Sequence, residues 1–372
     1  MRRALRLARR GEGRVEPNPM VGCVITRGDR ILGEGYHERF GGPHAEIRAL
    51  ASCSRRPRGA TVYVSLEPCA HYGKTPPCTD ALIEAGVARV VTAMEDPNPL
   101  VRGRGLRKLR DAGIAAADGV LRDETAELLA PYLTRIRLKR PYVIAKWAQS
   151  LDGKLATAGG ESRWISCEVS RRQVHRLRAR VDAILVGSGT AVHDDPLLTA
   201  RDVPIRRRAV RVVLDARLRI SPRSQLATTS AEIPTLVFTS GGMADSPRAR
   251  RLSRRGLTVF AARTSRRGVD LDDCLAQLCR LGVTNLLVEG GPTVLGSFLA
   301  AGLVDETHIY VAPIFLGGRD APGPLADWPI KKLGSAVRAQ MVEVKPSGDD
   351  TFFRIRPRDP RTTRPMRPRI ER

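Results

Sequence analysis

Four residues at two separated places in the chain have the types and the spacing of a hydrolytic zinc site. His44 and Glu46 stand two positions apart, and Cys69 and Cys78 follow them, nine positions apart. A histidine and two thiolates can hold zinc with one position left open, and a nearby glutamate can move protons without binding the metal. Zinc lowers the pKa of bound water to roughly 7. The pattern therefore predicts hydrolytic deamination, with His44, Cys69 and Cys78 as ligands and Glu46 as the catalytic proton carrier.

The predicted elements around these residues place them at one pocket. We expect a helix that begins at Pro43 and carries the histidine and the glutamate in its first turn. A buried strand over residues 61–65 would precede Cys69, and a loop would carry Cys78. The spacing between the cysteines departs from the Pro-Cys-x-x-Cys signature of nucleobase deaminases. Taken singly, the histidine would be a capping or core residue and the cysteines small apolar fillers; their joint occurrence favours the metal site.

The first half of the chain alternates predicted helices with predicted strands, which is the pattern of an α/β domain. We expect this domain to end near residue 140, where a charged run over residues 135–140 precedes Pro141 and an apolar strand over residues 142–147. After an amphipathic N-terminal helix, the predicted helices cover residues 44–51, 79–85, 103–112 and 122–139, and the predicted strands cover residues 20–26, 31–36, 61–65 and 88–94, with a short one at Ile114.

A glycine-rich turn is the strongest feature of the second half. An apolar strand over residues 285–288 runs into Gly290-Gly291-Pro292 and then into a predicted helix. Such a turn can present backbone N–H groups to a phosphate. It is not the Rossmann fingerprint, because Gly187 and Gly189 lack the third glycine and the acidic residue about 20 positions further on. By itself the turn predicts only a tight connection between a strand and a helix.

Longer motifs in both halves resemble one known family. From about residue 1 to about residue 356 the chain closely resembles the bifunctional riboflavin-biosynthesis deaminase/reductase, in which the widened cysteine spacing is normal. In the first half the resemblance is carried by Pro17-Asn18-Pro19-Met20-Val21-Gly22-Cys23, Gly35-Tyr36-His37, Pro43-His44-Ala45-Glu46 and the run from Leu66 to Cys78. In the second half it is carried by residues 146–154, 160–165, 182–190 and 194–199, by Arg201, and by residues 285–296.

The resemblance implies a fold, two activities and two cofactors. The fold is α/β, with an N-terminal cytidine-deaminase-like three-layer sandwich over residues 1–140 and a C-terminal dihydrofolate-reductase-like domain over residues 141–358. With one Zn²⁺ per chain, the first domain would deaminate 2,5-diamino-6-ribosylamino-4(3H)-pyrimidinone 5′-phosphate. With NADPH, the second would reduce the ribose of 5-amino-6-(5-phosphoribosylamino)uracil to a ribityl chain, by direct hydride transfer to the ribose C1 carbon.

The resemblance also assigns residues to the substrates and to NADPH. In the deaminase half it implies substrate contacts from Asn18, His71 and Lys74, with Lys74 on the phosphate. In the reductase half it implies substrate contacts from Ser162, Arg178, Leu198, Arg201 and Glu289, with Arg178 and Arg201 suited to the phosphate. The implied NADPH contacts are Ala148, Trp164, Thr190, Asp194, Ala216, Gly291, Pro292, Thr293, Val294, Leu295, Gly296 and Ser297. The proton donor of the reduction stays open between Asp194 and Glu289, each with a structural alternative.

The composition bears on the compartment and on the partners. Seven cysteines without a framework spacing point to a reducing compartment, and no stretch approaches the roughly 18 apolar residues of a membrane span, so we expect a cytoplasmic protein without a membrane partner. The net charge of +24 is spread over the chain and aromatic residues make up only 4% of it, which disfavours nucleic-acid binding. The resemblance implies a phosphorylated pyrimidine ribosyl substrate and a homo-oligomer, a dimer or a tetramer.

Other functions stay open at this point. A nucleic-acid base deaminase shares the zinc constellation but needs no nucleotide-cofactor domain, and a free-base or nucleoside deaminase has no use for Lys74. A basic nucleic-acid-binding protein with a structural zinc would need a fourth ligand, whereas the sequence offers three and Glu46. Residues 359–372 are rich in proline and arginine, which predicts a disordered basic tail.

Overall fold

The computed structural model describes residues 1–72, 76–265, 268–326 and 328–358. Contacts between residues divide the chain into two compact units. The first comprises Met1–Pro141 and Leu278–Thr284, and the second comprises Tyr142–Gln277 and the described residues from Asn285 onward. The predicted tail over residues 359–372 lies outside the described residues. Within the described ranges, every helix is too short or insufficiently apolar to cross a membrane.

A mixed sheet forms the centre of the first unit. Over the described residues it has five strands, which are Gly22–Arg27 (β1), Arg30–Tyr36 (β2), Thr61–Val64 (β3), Arg89–Thr92 (β4) and Ala115–Ala117 (β5). Their spatial order is β2-β1-β3-β4-β5, with β1 antiparallel to both of its neighbours and β3, β4 and β5 parallel to one another. The carboxyl ends of β3 and β4 therefore meet at one edge of the sheet, where α/β proteins commonly bind ligands.

Helices cover both faces of this sheet. Along a strand successive side chains point to opposite faces, and those of β1 follow this rule: Ile25 packs with Ala49 and Leu82 in one cluster, whereas Val24 packs with Ala4 and Leu7 in another. The arrangement is the predicted three-layer sandwich. The helices of this unit are Arg2–Ala8 (α1), Ala45–Ala51 (α2), Cys78–Glu84 (α3), Arg104–Asp111 (α4), Arg122–Leu128 (α5) and Ala130–Leu138 (α6).

The helix predicted over residues 122–139 is two helices. The chain leaves the helical conformation at Leu129, where φ is −93° and ψ is 9°, and α6 then restarts at Ala130. Pro131 lies in the first turn of α6. Since proline has no N–H group and its ring clashes with the preceding helical turn, it is tolerated at a helix start but interrupts a helix interior. The single-helix prediction was therefore wrong at this proline.

The second unit is built on a larger, mostly parallel sheet. Its strands over the described residues are Tyr142–Ser150 (β6), Ala183–Gly187 (β7), Val210–Leu214 (β8), Thr235–Ser240 (β9), Thr258–Ala262 (β10), Asn285–Val288 (β13), Glu306–Ala312 (β14), Ala339–Ser347 (β15) and Asp350–Pro357 (β16), with Thr264–Ser265 (β11) and Gly268–Val269 (β12) paired separately. The spatial order is β10-β9-β8-β7-β13-β6-β14-β16-β15, parallel from β10 to β14 and antiparallel at β16 and β15. The central strands β7 and β13 are buried along their whole length, as in sheets covered on both faces.

The glycine-rich turn connects strand β13 to the helix that follows it. A Cβ atom at Gly290 would lie 2.8 Å from the backbone nitrogen of Gly187 on the neighbouring strand, so no side chain fits there. The predicted helix follows at once and begins at Pro292. The helices from residue 168 onward are Glu168–Arg178 (α7), Ser188–His193 (α8), Gln225–Thr228 (α9), Gly241–Ala244 (α10), Pro247–Ser253 (α11), Leu271–Arg280 (α12) and Pro292–Ala300 (α13).

Candidate functional site

Three side chains from separate segments converge in the first unit. His44 Nδ1 lies 3.2 Å from Cys78 Sγ and 3.6 Å from Cys69 Sγ. The three ligand atoms all lie within 4.8 Å of one another. One imidazole nitrogen and two sulfurs are donors that zinc prefers, and three protein ligands are the number found at catalytic zinc sites. The residues therefore fit a catalytic zinc ion.

The local structure that positions two of these ligands differs from the prediction. His44 has an extended backbone, with φ −70° and ψ 164°, and is the N-cap of α2, which begins at Ala45. Its carbonyl accepts the first helical hydrogen bond, from Arg48 N at 3.1 Å, as an N-cap residue does. The prediction of a helix from Pro43 was therefore wrong by two residues.

Cys78 was predicted in a loop, and this was also wrong because it is the first residue of α3. The residue before it, Pro77, has φ −58° and ψ 135°, so it caps the helix from outside the helical conformation. Thr79 Oγ1 donates to the Cys69 carbonyl at 3.2 Å. This bond ties the start of α3 to the segment that carries the other cysteine.

The thiol of Cys78 is hydrogen-bonded to the sulfur of Cys69. Hydrogen bonds from Cys78, including its backbone N–H at 3.3 Å, and from His44 lower the pKa of Cys69. The thiolate is the form that binds metals. The site therefore prepares one of its sulfurs for zinc through contacts within the protein.

Glu46 is buried beside this cluster, with 3% of the residue exposed. Burial, with a smaller contribution from Cys69, raises the pKa of Glu46 to about 7. A carboxyl group with a pKa near the working pH can both accept and release a proton. Its position and its pKa suit the proton carrier that the sequence predicted.

A cavity of about 370 Å³ opens onto these groups. His44, Glu46 and Cys69 line it, and so do two of the three predicted substrate contacts, Asn18 and His71. The third predicted contact, Lys74, lies outside the described residues. The structure therefore places the Asn18 amide and the His71 imidazole at the same cavity as the candidate metal ligands His44 and Cys69.

The sequence analysis assigned no role to several further polar residues that line this cavity. They are His37, Glu67, Asp96, Asn98, Tyr132 and Arg135. A signal for Asp96 was available, because it follows β4 as Cys69 follows β3, and parallel neighbours end at the same edge of a sheet. No comparable signal marked Tyr132 and Arg135, which reach the cavity from α6.

Asp96 is a buried carboxylate of this group. Tyr132 Oη donates to its two oxygens at 2.9 and 3.2 Å, and the backbone N–H of Asn98 donates at 2.9 Å. Burial nevertheless raises the pKa of Asp96. Glu67 accepts hydrogen bonds from four backbone N–H groups between residues 96 and 106, and so holds this loop against the cavity.

The second unit has a cavity of about 480 Å³ beside the glycine-rich turn. Four of the predicted NADPH contacts line it, namely Ala216, Thr293, Val294 and Ser297. The small residues at positions 187–189 line it as well. Next to it, Thr190 Oγ1 accepts a hydrogen bond from Gly291 N at 2.9 Å, which fixes the turn against α8. Small residues and the start of a helix are features that suit a nucleotide phosphate, so this cavity is the candidate cofactor site of the second unit.

The remaining predicted NADPH contacts are not among the described residues that line this cavity. Leu295 is 2% exposed, and Gly296 packs against the Ala326 carbonyl. Trp164 is 67% exposed, with the Arg171 guanidinium 4.6 Å from its ring centroid. The others are Ala148 on β6, Asp194 at the end of α8, and Gly291 and Pro292 at the start of α13.

The predicted substrate contacts of this unit include one buried ion pair. Arg178 donates to Glu289 through Nε at 3.0 Å and Nη2 at 2.6 Å, and to the Thr199 carbonyl through Nη1 at 3.2 Å. Lys146 Nζ lies 4.0 Å from the same carboxylate, a contact that the sequence analysis did not predict. The signal for it was a lysine within the otherwise apolar strand of residues 142–147. The other predicted contacts are Ser162 and Arg201, both exposed, and Leu198, which is buried with φ +52°.

Burial and charge act against each other in this ion pair. Burial alone would raise the pKa of Glu289, but the Arg178 and Lys146 cations lower it below its ordinary value. Burial lowers the pKa of Lys146 in turn. The group is therefore a charged carboxylate with one firmly held guanidinium and one ammonium that releases its proton more readily than an exposed lysine.

Comparison with known proteins covers both units. Two family models match the chain, the cytidine and deoxycytidylate deaminase zinc-binding region at residues 1–94 and the RibD C-terminal domain at residues 141–353. The riboflavin biosynthesis protein RibD of Aquifex aeolicus is 42% identical over 95% of this chain and 97% of its own length. That of Escherichia coli is 41% identical over 95% of this chain and 98% of its own length.

Solved structures of full-length proteins resemble this chain over the same extent as the related sequences do. Acinetobacter baumannii RibD superposes with a TM-score of 0.86 at 35% identity, covering 96% of this chain and 98% of its own. The diaminohydroxyphosphoribosylaminopyrimidine deaminase/5-amino-6-(5-phosphoribosylamino)uracil reductase of Thermotoga maritima gives 0.85 at 35% identity, covering 96% and 97%. This chain therefore belongs to the RibD family of bifunctional riboflavin-biosynthesis enzymes, which are zinc-dependent deaminases and NADPH-dependent reductases of a phosphoribosyl pyrimidine.

Proposed function

We propose that residues 1–140 carry the deaminase and residues 141–358 the reductase, and that they act in this order on one substrate. The first would deaminate 2,5-diamino-6-ribosylamino-4(3H)-pyrimidinone 5′-phosphate. The second would reduce the ribose of the resulting 5-amino-6-(5-phosphoribosylamino)uracil. The observation that carries the proposal is the convergence of His44, Cys69 and Cys78 on one point beside the buried Glu46.

In the deaminase half, His44, Cys69 and Cys78 would hold zinc, which when bound makes water acidic enough to attack at neutral pH. Glu46 would move two protons in turn, the first from the attacking water to a ring nitrogen and the second from the newly formed hydroxyl group to the amino group, which leaves as ammonia. Its buried position supports this role, because a carboxyl group shielded from bulk water exchanges protons with the substrate instead.

The same cavity would orient the pyrimidine. Asn18 Nδ2 lies 3.2 Å from His37 Nε2, so each side chain restricts the other at the cavity wall. The carboxylate of Asp96, fixed by Tyr132, offers an acceptor to a ring amino group. His71 and Lys74 would hold the ribose phosphate, as the motif predicts.

In the reductase half, NADPH supplies the hydride and the protein positions the reacting groups. The hydrogen bond that Gly291 N donates to Thr190 Oγ1 fixes the turn that would face the cofactor. Glu289 is held in its charged form by two cations, which argues against it as the proton donor. The candidates for proton donor are therefore Asp194, which is exposed, and Lys146, which is the better one because burial lowers its pKa.

The alternative functions are not favoured. A nucleic-acid base deaminase, or a basic protein with a structural zinc, accounts for neither the second unit nor the full-length relatives. The absence of a nucleic-acid partner, the cytoplasmic location and the assembly into a dimer or tetramer stay predictions.

The test is a pair of assays on the purified protein and on the variant Glu46→Gln. Ammonia release from the diaminopyrimidine substrate should fall about 10²- to 10⁴-fold in the variant, as expected for loss of a general acid–base group. NADPH oxidation on substrate that is already deaminated should not change. The matched control is Glu84→Gln, the same substitution at an exposed position on α3. Ammonia release at the wild-type rate from Glu46→Gln would contradict the proposed role.

A further inference from the structure

One face of α6 is turned toward the cavity of the first unit. Tyr132, Arg135 and Ile136 line that cavity, and they stand at positions i, i+3 and i+4 of the helix. Residues at this spacing lie on the same face of an α-helix. Tyr132 and Leu133 pack in a buried cluster with Leu66, which anchors the helix beside the end of β3. The helix therefore presents Arg135 to the cavity from a fixed position.

Arg135 is the one arginine or lysine among the described residues that line this cavity. Its Nε is buried and has no hydrogen-bond partner in the described part of the chain. Two carboxylates of the cavity wall are engaged elsewhere, because Glu67 accepts from four backbone N–H groups and Asp96 accepts from Tyr132 Oη. A buried donor without a partner is rare and costs free energy. A ligand of the cavity would supply the acceptor that the protein does not.

The charge of the substrate indicates which acceptor this is. The phosphate of the substrate proposed for this cavity carries about 1.5 to 2 negative charges near neutral pH, whereas its pyrimidinone ring offers neutral acceptors. An arginine stays charged throughout the working pH range, and its planar fork can give a phosphate two parallel hydrogen bonds. We propose that Arg135 binds the 5′-phosphate of the deaminase substrate, in addition to His71 and Lys74. The inference rests on the proposed deaminase function of this cavity.

Ammonia release by the full-length, zinc-loaded protein tests the inference, because it reports on the first unit alone. Two substrates are compared, the ribosyl phosphate and the same compound without its phosphate. In Arg135→Ala, kcat/KM for the phosphorylated substrate should fall about 10- to 100-fold, the effect of losing a hydrogen bond between charged groups. For the dephosphorylated substrate kcat/KM should stay at the wild-type value, because the missing phosphate already removes the contact. Arg135→Lys should recover part of the loss.

The matched control is Arg137→Ala. Arg137 is an exposed arginine two positions further along α6, and it is not among the described residues that line the cavity. The variant removes the same charge from the same helix without removing a donor from the cavity. It should therefore use both substrates as the wild type does.

Thermal unfolding without substrate gives a second readout, which a structural role would move in the opposite direction. Arg135→Met keeps an apolar stem at this position and removes the unpaired donors. Because the free protein buries Arg135 Nε without a described partner, this variant should unfold at the wild-type Tm or above it. A fall in Tm together with equal losses on both substrates would assign Arg135 to the stability of the fold and overturn the inference.

Three other results would overturn the contact with the phosphate. Equal losses on both substrates in Arg135→Ala at the wild-type Tm would place the guanidinium on the pyrimidine ring. An unchanged kcat/KM for the phosphorylated substrate would exclude any contact. Equal losses in Arg135→Ala and Arg137→Ala would show a diffuse effect of charge. Absence of ammonia release from the wild type with zinc bound would instead overturn the proposed deaminase function, on which the inference rests.

Discussion

Replacing Glu289 by glutamine should destabilise the second unit strongly. The substitution keeps the shape of the side chain but removes the charge that pairs with Arg178 and lies near Lys146. Only 5% of the Glu289 side chain is exposed, and the two cations are 17% and 18% exposed. Without the carboxylate, two positive charges face each other where water cannot solvate them fully.

The magnitude follows from this burial. Breaking a buried ion pair by removing one partner costs about 3–5 kcal/mol, and the glutamine amide oxygen can still accept one bond, so we expect about 3 kcal/mol. For a unit of this size that corresponds to a fall in Tm of roughly 6–12 °C. The control is Glu168→Gln on α7, which removes an exposed ion pair with Arg172 and should cost less than about 1 kcal/mol.

Differential scanning calorimetry of the wild type and both variants provides the measurement, and pH provides a second check. Because the two cations lower the pKa of Glu289, its charged form stabilises the fold above the ordinary carboxyl pKa of about 4.3. This stabilisation is lost as the pH falls through the lowered folded-state pKa. The difference in Tm between the wild type and Glu289→Gln should therefore shrink on acidification below that value. Equal Tm losses in Glu289→Gln and Glu168→Gln at neutral pH would refute the reasoning.

Two further predictions concern the first unit. Cys78→Ser should abolish stoichiometric zinc binding, measured by elemental analysis of the purified protein. The control Cys53→Ser should retain zinc, because in the described contacts Cys53 Sγ hydrogen-bonds only to a backbone carbonyl. Zinc retained in Cys78→Ser would exclude this residue as a ligand. Tyr132→Phe should lower the free energy of unfolding in urea by about 1–2 kcal/mol, because the buried Asp96 carboxylate loses its hydroxyl donor. An unchanged urea midpoint would show that this bond does not contribute to stability.

Much of the fold was predictable from the sequence because it depends on local periodicity. The strand before Cys69, the hairpin of β1 and β2, and the helix after the glycine-rich turn lie within a few residues of their predicted positions. The boundaries failed where a single backbone geometry decided them. His44 is a cap because its backbone is extended, and the last long helix predicted for the first unit breaks at Leu129, two residues before Pro131.

The catalytic set was predictable for a different reason. Metal ligands and the proton carrier must be of a few residue types, so His44, Glu46, Cys69 and Cys78 were recognisable as a set, although each residue taken singly would be read as structural. Asp96, Tyr132 and Arg135 have no such chemical signature. They reach the cavity only because β4 ends beside β3 and α6 packs across that edge.

The sequence by itself determined the reaction class, since the ligand types specify zinc and the spaced motifs specify the family. The tertiary structure decided which charges meet. Arg178, which the motif suggested as a phosphate ligand, donates to Glu289 across 111 positions of the chain, and Lys146 completes that group from another strand. Sequence patterns report the periodicity of single elements, whereas the pairing of buried charges depends on which strands become neighbours, and only the folded chain establishes that.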